Sequence, residues 1–580
     1  MSPTSFFCQG SNEHSWLPMV PGIFLATFTA FLIPAVYGLY RIILYPKYFS
    51  PLRNVPGPPL GPNYLIGRFG EMINGEAGIP QREWVKEHGQ AIRAVGPLGV
   101  ERMIFCRPEA LHKILVTGWL VNPRPKFMRD ILGTVAGYGL LTVTGNEHKQ
   151  MRKAMNPAFS IASLSSQIDM YYDAIDSLVD ILDAKISEEE RRAGKGTGKV
   201  EKMYEWMSKV TLDIICMAAF GYNSDSLHNP HNELAEAYEE LISLQTEHSF
   251  DLIRTPQGQN ISRFIALNLV PGVPRLMNSE WGWKHRHRIA KLPALKPAAV
   301  MLDAMHRIKA VSASILAERM KEAEAISTDD TLAKKDIMSL LVRARKAEMD
   351  RQVQDKASAH QAGGVYTMSD KEMMDQVLTF LGAGHETTAS GLAWTLWLLA
   401  NDKESQRKLR EELLPLLQAD ESGIKRGRLG YRELKDLTWM DCVVNESLRL
   451  YPPVPMTFRQ AATTDIIDGV TVPKGTLFYI PIRVVNTLKD VWGDDAEEFK
   501  PSRWLNLPES YNSTFSVLSF IAGPHACIGK TMAIVEMKAV LAGLIANFEF
   551  DLAYEGQRAH PTAAVTMKPA DNMPLRVRRV

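Results

Sequence analysis

The residues best suited to do chemistry lie in one short segment, FIAGPHACIG at positions 520–529. It holds the thiol of Cys527 in a glycine-punctuated loop, directly before an apolar run over 528–548 that predicts a helix. A thiolate placed there lies near the positive end of a helix dipole, where backbone N–H groups can donate to the sulfur. Gly523 and Gly529 lack Cβ atoms, which favours a tight turn and the close approach of a large flat ligand. A thiolate axial ligand to haem needs this combination of a fixed sulfur, N–H donors and a flat apolar face.

A second pair of reactive side chains lies in the middle of a helical pattern over 371–399. Glu386 and Thr387 follow Gly384 there, and buried polar groups inside a helix are costly unless something uses them. Oxygen activation at a haem consumes protons, so a carboxyl and a hydroxyl beside it predict a short proton relay, with the helix loosened at the glycine. A helix kink with Glu386 capping its neighbours is the alternative, and His385 has no predicted role.

Composition excludes several classes of protein. Of the 580 residues, 46% are hydrophobic and 23% are charged, which supports a sizeable core and excludes wholesale disorder. The net charge of +1 argues against nucleic acid as a main partner. The five cysteines are scattered without zinc-site spacing, a usage that favours a reducing compartment over a disulfide framework.

The N-terminus predicts a membrane anchor followed by a hinge. Residues 17–40 contain no charged side chain, and this run is long enough for a transmembrane helix although prolines weaken it. Arg41, Lys47 and Arg53 follow the run and no basic residue precedes it, so the positive-inside rule places the N-terminus in the lumen. A cleaved signal peptide is the alternative, but a basic n-region is missing and the apolar run is too long. The proline-rich segment 54–62 predicts a semi-rigid spacer.

Three further segments carry structural predictions. Residues 91–105 predict a β-hairpin that turns at 96–99. The apolar run 210–220 predicts a buried helix. The charge-rich stretch 318–375 predicts a connection on the surface.

These motifs and their order resemble the cytochrome P-450 family over essentially the whole chain. Phe520, Gly523, His525 and Cys527 match its haem-ligand signature, Phe-x-x-Gly-x-(Arg/His)-x-Cys-x-Gly. A buried structural cysteine after a turn is the alternative interpretation of that loop. The resemblance is to microsomal-type, fungal members of the family. It implies a mainly α fold with small β-sheets, in a single haem domain behind an N-terminal transmembrane helix.

The domain organisation implied by the resemblance has three parts. A luminal stub and transmembrane anchor would occupy residues 1–45, a proline-rich hinge 46–62, and the haem-thiolate catalytic domain 63–580. The protein would then be a single-pass protein of the endoplasmic reticulum membrane, with its N-terminus in the lumen and its catalytic domain in the cytosol.

The resemblance also implies roles for residues outside the cysteine loop. The acid and the alcohol of the family's proton relay map to Glu386 and Thr387. The family's buried Glu–Arg–Arg network, a structural support for the cysteine loop, maps to Glu446, Arg449 and Arg503.

Contacts to the haem propionates are implied at four basic positions. Arg152 fits the arginine of the family's Trp-x-x-x-Arg pair, with His148 where tryptophan is common. His525 stands where arginine is common, and Arg459 is a further candidate. Either histidine can hydrogen-bond a carboxylate, but its charge varies with pH whereas that of arginine does not.

The implied activity is insertion of one oxygen atom from O2 into a lipophilic small molecule, by hydroxylation or epoxidation. Haem b would be the cofactor. Because the chain offers no obvious GxGxxG site or flavin domain, NADPH-derived electrons would come from a separate membrane-bound cytochrome P-450 reductase, with cytochrome b5 as a further partner. Terpenoid, polyketide or fatty-acid metabolism would supply the substrate. Two alternatives stay open, a thiolate-haem isomerase or dehydratase that does not use O2 and a non-catalytic membrane haem binder.

The resemblance places the walls of the substrate pocket in four mostly apolar segments, 122–139, 378–388, 454–458 and 565–567. Apolar walls suit a lipophilic substrate. The apolar run 264–276 is predicted to dip into the bilayer and admit substrate from there, and a buried connection within the globule is the alternative.

Overall fold

The computed structural model describes residues 19–61, 63–229, 231–246, 279–291, 296–325, 336–357, 366–562 and 566–580. These residues form a mainly helical structure with small sheets, as the sequence predicted. The run 264–276, predicted to dip into the membrane, lies outside the described residues.

Helices make up most of the described chain. The α-helices are Met19–Leu39, Phe69–Asn74, Ile79–His88, Pro108–His112, Lys126–Ala136, Gly145–Met155, Ile161–Ser165, Asp169–Ala193, Met203–Phe220, Glu233–Thr246, Glu280–Ile289, Lys296–Ala325, Ile337–Ala357, Asp370–Asn401, Lys403–Leu413, Tyr431–Asp436, Thr438–Leu450, Ile482–Val485, Lys489–Trp492 and Lys530–Asn547. Helical segments of other types are Tyr40–Phe49, Pro97–Gly99, Lys113–Thr117, Asn156–Phe159, Leu414–Leu416, Pro501–Leu505 and Gly523–His525.

The strands form four small sheets in the described part of the chain. They are β1 (Ala91–Val95), β2 (Glu101–Phe105), β3 (Lys199–Lys202), β4 (Gln418–Ala419), β5 (Lys425–Arg426), β6 (Thr457–Gln460), β7 (Asp465–Ile467), β8 (Val470–Val472), β9 (Leu477–Ile480), β10 (Phe548–Leu552) and β11 (Pro574–Arg579). The largest sheet has the order β1-β2-β9-β6, and a second has the order β10-β11-β3. β1 and β2 pair antiparallel, with Ala91 opposite Phe105, which confirms the predicted hairpin.

The helix Asp370–Asn401, called the central helix below, runs through the helical core. A capping box fixes its start, because the Ser369 side chain accepts the Glu372 N–H while the Glu372 carboxylate accepts the Ser369 N–H at 2.7 Å. Its C-terminal half is buried on all sides, since it packs against Met203–Phe220 and against Lys530–Asn547. The last of these, called the cysteine helix below, brings the candidate thiol next to the central helix.

Two segment predictions have different outcomes. The buried helix predicted at 210–220 is confirmed as part of a longer helix that ends at the same residue. The surface connection predicted for 318–375 is wrong for the described part of the stretch, which contains the end of Lys296–Ala325 and all of Ile337–Ala357. Residues 326–335 and 358–365 lie outside the described residues. Its charged residues share these helices with fully buried apolar side chains such as that of Ile337, so each helix keeps one face on the core.

The N-terminal part of the described chain is an apolar helix, and the side chains described from Phe28 to Tyr40 are mostly exposed. Met19–Leu39 continues into the π-helical segment Tyr40–Phe49. The run Phe28–Phe49 is the one helix of the described residues that is long and apolar enough to cross a membrane. This is the location that the sequence predicted for an anchor, on grounds of length and composition.

The predicted hinge at 46–62 does not extend freely from the body. The Ser50 hydroxyl donates to the Glu101 carboxylate at 2.6 Å, and the Arg93 N–H donates to the Pro56 carbonyl at 2.8 Å. These contacts dock the segment on the β1–β2 hairpin. The prolines exclude regular structure, but tertiary contacts make the segment a part of the globule rather than a free spacer.

Candidate haem-thiolate site

The cysteine loop closes on itself through backbone hydrogen bonds. The Cys527 N–H donates to the Phe520 carbonyl at 2.9 Å, and the Ala526 N–H donates to the Gly523 carbonyl at 2.9 Å. Gly523 has a φ of 77°, which side chains rarely allow, and a Cβ there would collide with the carbonyl oxygen of Leu115. Glycine is therefore required at this turn, as the sequence predicted.

The Cys527 thiol lies just before the start of the cysteine helix and lines a cavity. The Cys527 side chain is exposed to this cavity, but the protein around it removes bulk water and so raises the pKa of the thiol, while the Gly529 N–H and the charges of Arg152 and Lys530 oppose the shift. Gly529 has a φ of −87° and open space where a Cβ would point. The predicted turn requirement at Gly529 is therefore wrong, and the residue lines the cavity instead.

A cavity of about 320 Å³ separates the cysteine loop from the central helix. This volume falls within the range of cofactor and small-molecule sites, roughly 300–1,000 Å³. Three of the four predicted wall segments contribute lining residues, whereas Thr566 and Met567 of the fourth do not reach the wall. The central helix contributes Thr379, Phe380, Ala383, Gly384, Thr387 and Thr388.

Thr387 presents a hydroxyl at the cavity wall and donates it to the Ala383 carbonyl at 2.8 Å. The helix is continuous here, so the predicted loosening at Gly384 is not a break. The carbonyls of residues 383–385 each accept a side-chain hydroxyl instead, a pattern that bends helices. A Cβ on Gly384 would come within 2.8 Å of Ile215, so the glycine also permits close helix packing.

Glu386 does not line the cavity, which separates the predicted acid from the predicted alcohol. Its carboxylate accepts the Thr566 hydroxyl at 2.6 Å on the side of the C-terminal loop. Successive residues of a helix point about 100° apart, so neighbours in sequence need not face the same space. His385 has no polar role at the cavity, because its ring hydrogen-bonds the Leu381 carbonyl at 2.9 Å and packs against Tyr238.

Three arginines meet near one edge of the cavity, and no carboxylate in the described part of the chain pairs with them. Arg124, Arg152 and Arg459 each donate to a backbone carbonyl, Arg152 to that of Ala526 at 2.6 Å. Burial lowers the pKa of Arg124 to about 10. Burial and the charge of Arg124 lower the pKa of Arg459 well below its usual value. Buried positive charge without a partner is costly, so this edge is suited to an anion.

His148 and His525 stack beside these arginines, with ring centroids 3.9 Å apart. Burial and then the nearby arginine charges lower the pKa of His148 to about 4, and burial with the same charges lowers that of His525 to about 2. Both rings are therefore neutral near neutral pH, and the pH-dependent charge expected from the sequence moves into the acidic range. Nδ1 of His148 is buried without a hydrogen-bond partner, which leaves a polar atom for a ligand.

The site has the features that a haem requires. A thiol faces the cavity from one side, the central helix forms the opposite wall, and the lining as a whole is mostly apolar. The edge carries the unpaired arginines and the orphaned ring nitrogen of His148, which suit the two propionate carboxylates of a haem. The residues present therefore fit the group.

The predicted buried network is present behind the cysteine loop. The Glu446 carboxylate, fully buried, accepts from Arg449 at 2.7 and 2.9 Å and from Arg503 at 2.8 Å. The Lys500 N–H and the Trp504 indole N–H each donate to it at 3.0 Å. A buried carboxylate with five donated hydrogen bonds is fully satisfied.

Asn486 connects this network with the cysteine loop. Arg449 donates to the Asn486 carbonyl at 3.2 Å, and the Asn486 amide donates back to the Arg449 carbonyl at 3.1 Å. The same amide donates to Ser519 at 2.9 Å, and its oxygen accepts the Leu518 N–H at 2.7 Å. Ser519 directly precedes Phe520, so the network and the loop share one chain of hydrogen bonds.

Sequence reasoning missed several residues of the site. Arg124 lies between Pro123 and Pro125, and a basic residue held in a rigid proline turn was a signal that could have found it. Asn486 and Trp119, which packs against the ring of His525 at 5.6 Å, carry no local signal, because tertiary contacts alone bring them to the site.

The chain matches the family model described as Cytochrome P-450 over residues 56–263 and 286–575. Cytochrome P-450 monooxygenase 205 of Postia placenta is 32% identical over 90% of each chain. Cytochrome P-450 monooxygenase 128 of the same fungus is 30% identical over 94% of this chain and 96% of its own. Cytochrome P-450 monooxygenase sphH of Aspergillus fumigatus is 28% identical over 95% and 92%. The predicted family is thereby confirmed, and the chain belongs to the cytochrome P-450 family of monooxygenases.

Proposed function

We propose that this protein is a haem-thiolate monooxygenase that inserts one oxygen atom from O2 into a lipophilic small molecule, by hydroxylation or epoxidation. The observation that carries the proposal is the Cys527 thiol, which faces a mostly apolar cavity with unpaired arginines at its edge. Terpenoids, polyketides and fatty acids are the proposed substrate classes, because an apolar wall binds such molecules by burial of their surface.

The cysteine loop and the basic edge would hold haem b. Cys527 would supply the thiolate ligand to the haem iron, from the loop shaped by Phe520 and Gly523. The propionates would contact the basic edge, namely Arg124, Arg152, Arg459, His148 and His525. When bound, the haem supplies the activation of O2 for attack on a C–H bond or an alkene.

On the opposite wall the protein's own task is to deliver protons and exclude water. Thr387 places a hydroxyl at the cavity surface and can pass a proton inward. Glu386 is the proposed source of that proton, although its carboxylate lies on the side of the C-terminal loop. The apolar lining orients a lipophile and limits water, which protects the reaction from side products.

Electrons would come from a separate NADPH-dependent cytochrome P-450 reductase, with cytochrome b5 as a second donor. The helical run Phe28–Phe49 supports a membrane anchor, within a proposed organisation of anchor (1–45), docked hinge (46–62) and catalytic domain (63–580). We place the catalytic domain on the cytosolic face of the endoplasmic reticulum, where such a reductase would reach it.

The test begins with the reduced carbon-monoxide difference spectrum of the full-length protein in membranes. A strongly red-shifted Soret band that Cys527→Ala abolishes would support thiolate ligation by Cys527. A band at the usual position of histidine-ligated haem, or no haem, would contradict the proposal. Cys442→Ala is the control, because this buried cysteine lies outside the cavity and its loss should leave the band in place.

The substrate class is identified by measuring which compounds the protein converts in the presence of reductase and NADPH. A panel of C12–C18 fatty acids, sesquiterpenes and diterpenes would be screened for NADPH-dependent products that carry one atom of 18O from labelled O2. Labelled products would support the monooxygenase assignment. A product whose new oxygen atom comes from water and not from O2, or conversion without NADPH, would contradict it.

A second candidate function is that of a thiolate-haem isomerase or dehydratase, which has no use for a proton relay. The position of the Glu386 carboxylate on the side of the C-terminal loop favours this candidate. Such an enzyme would convert lipid hydroperoxides without NADPH or O2. The same panel, extended with fatty-acid hydroperoxides and assayed under argon, separates the two functions.

A further inference from the structure

Two imidazole rings and one indole form a packed cluster at the basic edge of the cavity. Trp119 packs edge-to-face on His525, with ring centroids 5.6 Å apart, and lies tilted against His148 at 6.0 Å. The two histidine rings are themselves 3.9 Å apart. In the described part of the chain, Trp119 is the aromatic side chain that contacts both histidines, so the three rings form one unit.

The cluster has an inner and an outer layer. His148 and His525 line the cavity and are 2% and 8% exposed. Trp119 does not line the cavity, and its side chain keeps partial exposure to solvent. Because the indole touches both imidazoles from outside the cavity, it separates them from bulk water on that side.

The backbone that carries Trp119 is fixed on both sides of this residue. The preceding segment, Lys113–Thr117, packs on the turn Gly523–His525 of the cysteine loop. After Trp119, the Val121 carbonyl accepts the Ala462 N–H at 2.9 Å. Tertiary contacts therefore hold the indole in a defined place beside the cysteine loop.

A neutral imidazole needs such support if it is to bind a carboxylate. Nδ1 of His148 is buried without a hydrogen-bond partner in the described part of the chain. Rotation of this ring by half a turn would exchange its nitrogen and carbon atoms, and contacts with another aromatic ring oppose that rotation. The family commonly has tryptophan at position 148 and arginine at position 525. This chain has histidine at both positions and an indole at Trp119 instead.

We propose that Trp119 is a positioning residue of the haem site, which closes the propionate edge from outside and holds His148 and His525 toward the propionates. It would replace the indole that the family commonly carries at position 148. This inference rests on the proposed function and deepens it. Trp119 lies outside the cavity and does not touch the reacting atoms. Its loss should admit water to the edge and free the two imidazoles, so that haem leaves faster.

The test measures the rate at which the full-length, haem-loaded protein loses haem to an excess of apomyoglobin at neutral pH. Trp119→Ala should lose haem about three- to tenfold faster than the wild type, because each aromatic contact contributes modestly. Trp119→Phe keeps a ring against both histidines and should stay within about twofold of the wild-type rate. A purely structural effect of the truncation is detected by urea unfolding of the haem-free proteins, measured in parallel.

A double variant tests the replacement directly. Trp119→Ala with His148→Trp moves the indole from the loop to the helix Gly145–Met155, and it should return to within about twofold of the wild-type rate. Trp281→Ala is the matched control, because this indole is also accessible to solvent and also packs on a histidine, His285, at 4.6 Å. Trp281 lies outside the haem cavity, so its loss should leave the rate unchanged.

Three results would each overturn the inference. They are a Trp119→Ala variant that loses haem at the wild-type rate, a Trp119→Phe variant that loses it as fast as Trp119→Ala, and a double variant that is not rescued. A wild type without the thiolate band would instead overturn the proposed function itself. The two failures are distinguishable, because the inference fails alone only when the wild type shows that band.

Discussion

The two walls of the cavity are specified by the chain in different ways. On the cysteine side, Phe520 and Gly523 accept the N–H groups of Cys527 and Ala526, so bonds between close neighbours in sequence fix the thiol. On the central-helix side, the partner of Glu386 is Thr566, 180 positions away. The conformation of a backbone loop can therefore be predicted from residues that are close in sequence. The direction of a helical side chain depends instead on the residues that pack against it.

The largest effect is expected from breaking the buried Glu446–Arg449–Arg503 network, which supports the cysteine side of the cavity, called the cysteine wall below. Glu446→Gln should reduce the free energy of unfolding by about 3–5 kcal/mol, because it leaves Arg449 and Arg503 buried without their full partner. Urea unfolding of the full-length protein in detergent measures it. Glu404→Gln is the matched control, since Glu404 pairs with Arg407 at the same i,i+3 spacing on the surface and should have little effect. Equal effects would contradict the structural role of the network.

A second prediction separates two glycines of the cysteine wall. Gly523→Ala should destabilise the protein by at least about 1–2 kcal/mol from its positive φ alone, and the collision with Leu115 adds to this. Gly529→Ala should leave unfolding of the haem-free protein unchanged, because space is open there, but should lower haem content. Thermal unfolding and the haem-to-protein ratio measure both. Equal destabilisation by the two variants would contradict the described loop geometry.

A third prediction concerns pH and the central-helix wall. The pKa of Lys568 is lowered from 10.5 to about 8 by burial, with Glu386 and His385 as the titratable groups of the central helix near it. Above the folded pKa, the unfolded chain holds a proton that the folded chain lacks. The stability of the wild type should therefore rise relative to Lys568→Met as pH increases from about 8 to 9.5, by up to about 2 kcal/mol.

The measurement is urea unfolding of both proteins at several pH values from 7 to 9.5. The difference between the two proteins isolates Lys568, because the other titrating groups are shared. A difference that stays constant across this range, or that falls as pH rises, would contradict a buried lysine near Glu386.

The smallest effect is expected at Thr387, one of the central-helix residues that line the cavity. Thr387→Ala should still consume NADPH but yield about tenfold less product per NADPH, with more peroxide, since its hydroxyl no longer passes a proton inward. Thr387→Ser keeps the hydroxyl and is the control. The ratio of product to NADPH, measured with reductase present, decides the question. Unchanged coupling in Thr387→Ala would remove the hydroxyl from the proposed relay.

The N-terminal segments show the same contrast between local pattern and packing. The exposed apolar run Phe28–Phe49 agrees with a prediction from composition. The prolines at 54–62 predicted a spacer that stands apart from the globule. That prediction was wrong, because the Pro56 carbonyl accepts the Arg93 N–H of the β1–β2 hairpin. Composition excluded a helix or central strand there, but it carried no information about which distant strand would supply a donor.

The basic edge of the cavity was predicted in part. Arg152, His148, His525 and Arg459 were identified by family resemblance, and the structure brings them together with Arg124. Their pKa values could not be predicted from sequence, because burial and mutual repulsion depend on distances between elements far apart in the chain.

By itself the sequence determined the family, the mainly helical fold, the thiol of Cys527 and the tight turn at Gly523, because these depend on residue types at short, fixed spacings. Only the tertiary structure decided that the Glu386 carboxylate binds Thr566 outside the cavity that Thr387 lines, and that Asn486 joins the buried network to the cysteine loop. The physical reason is how far apart in the sequence the interacting residues lie. Backbone turns are fixed by neighbours in sequence, whereas side-chain direction, burial and charge are fixed by neighbours in space.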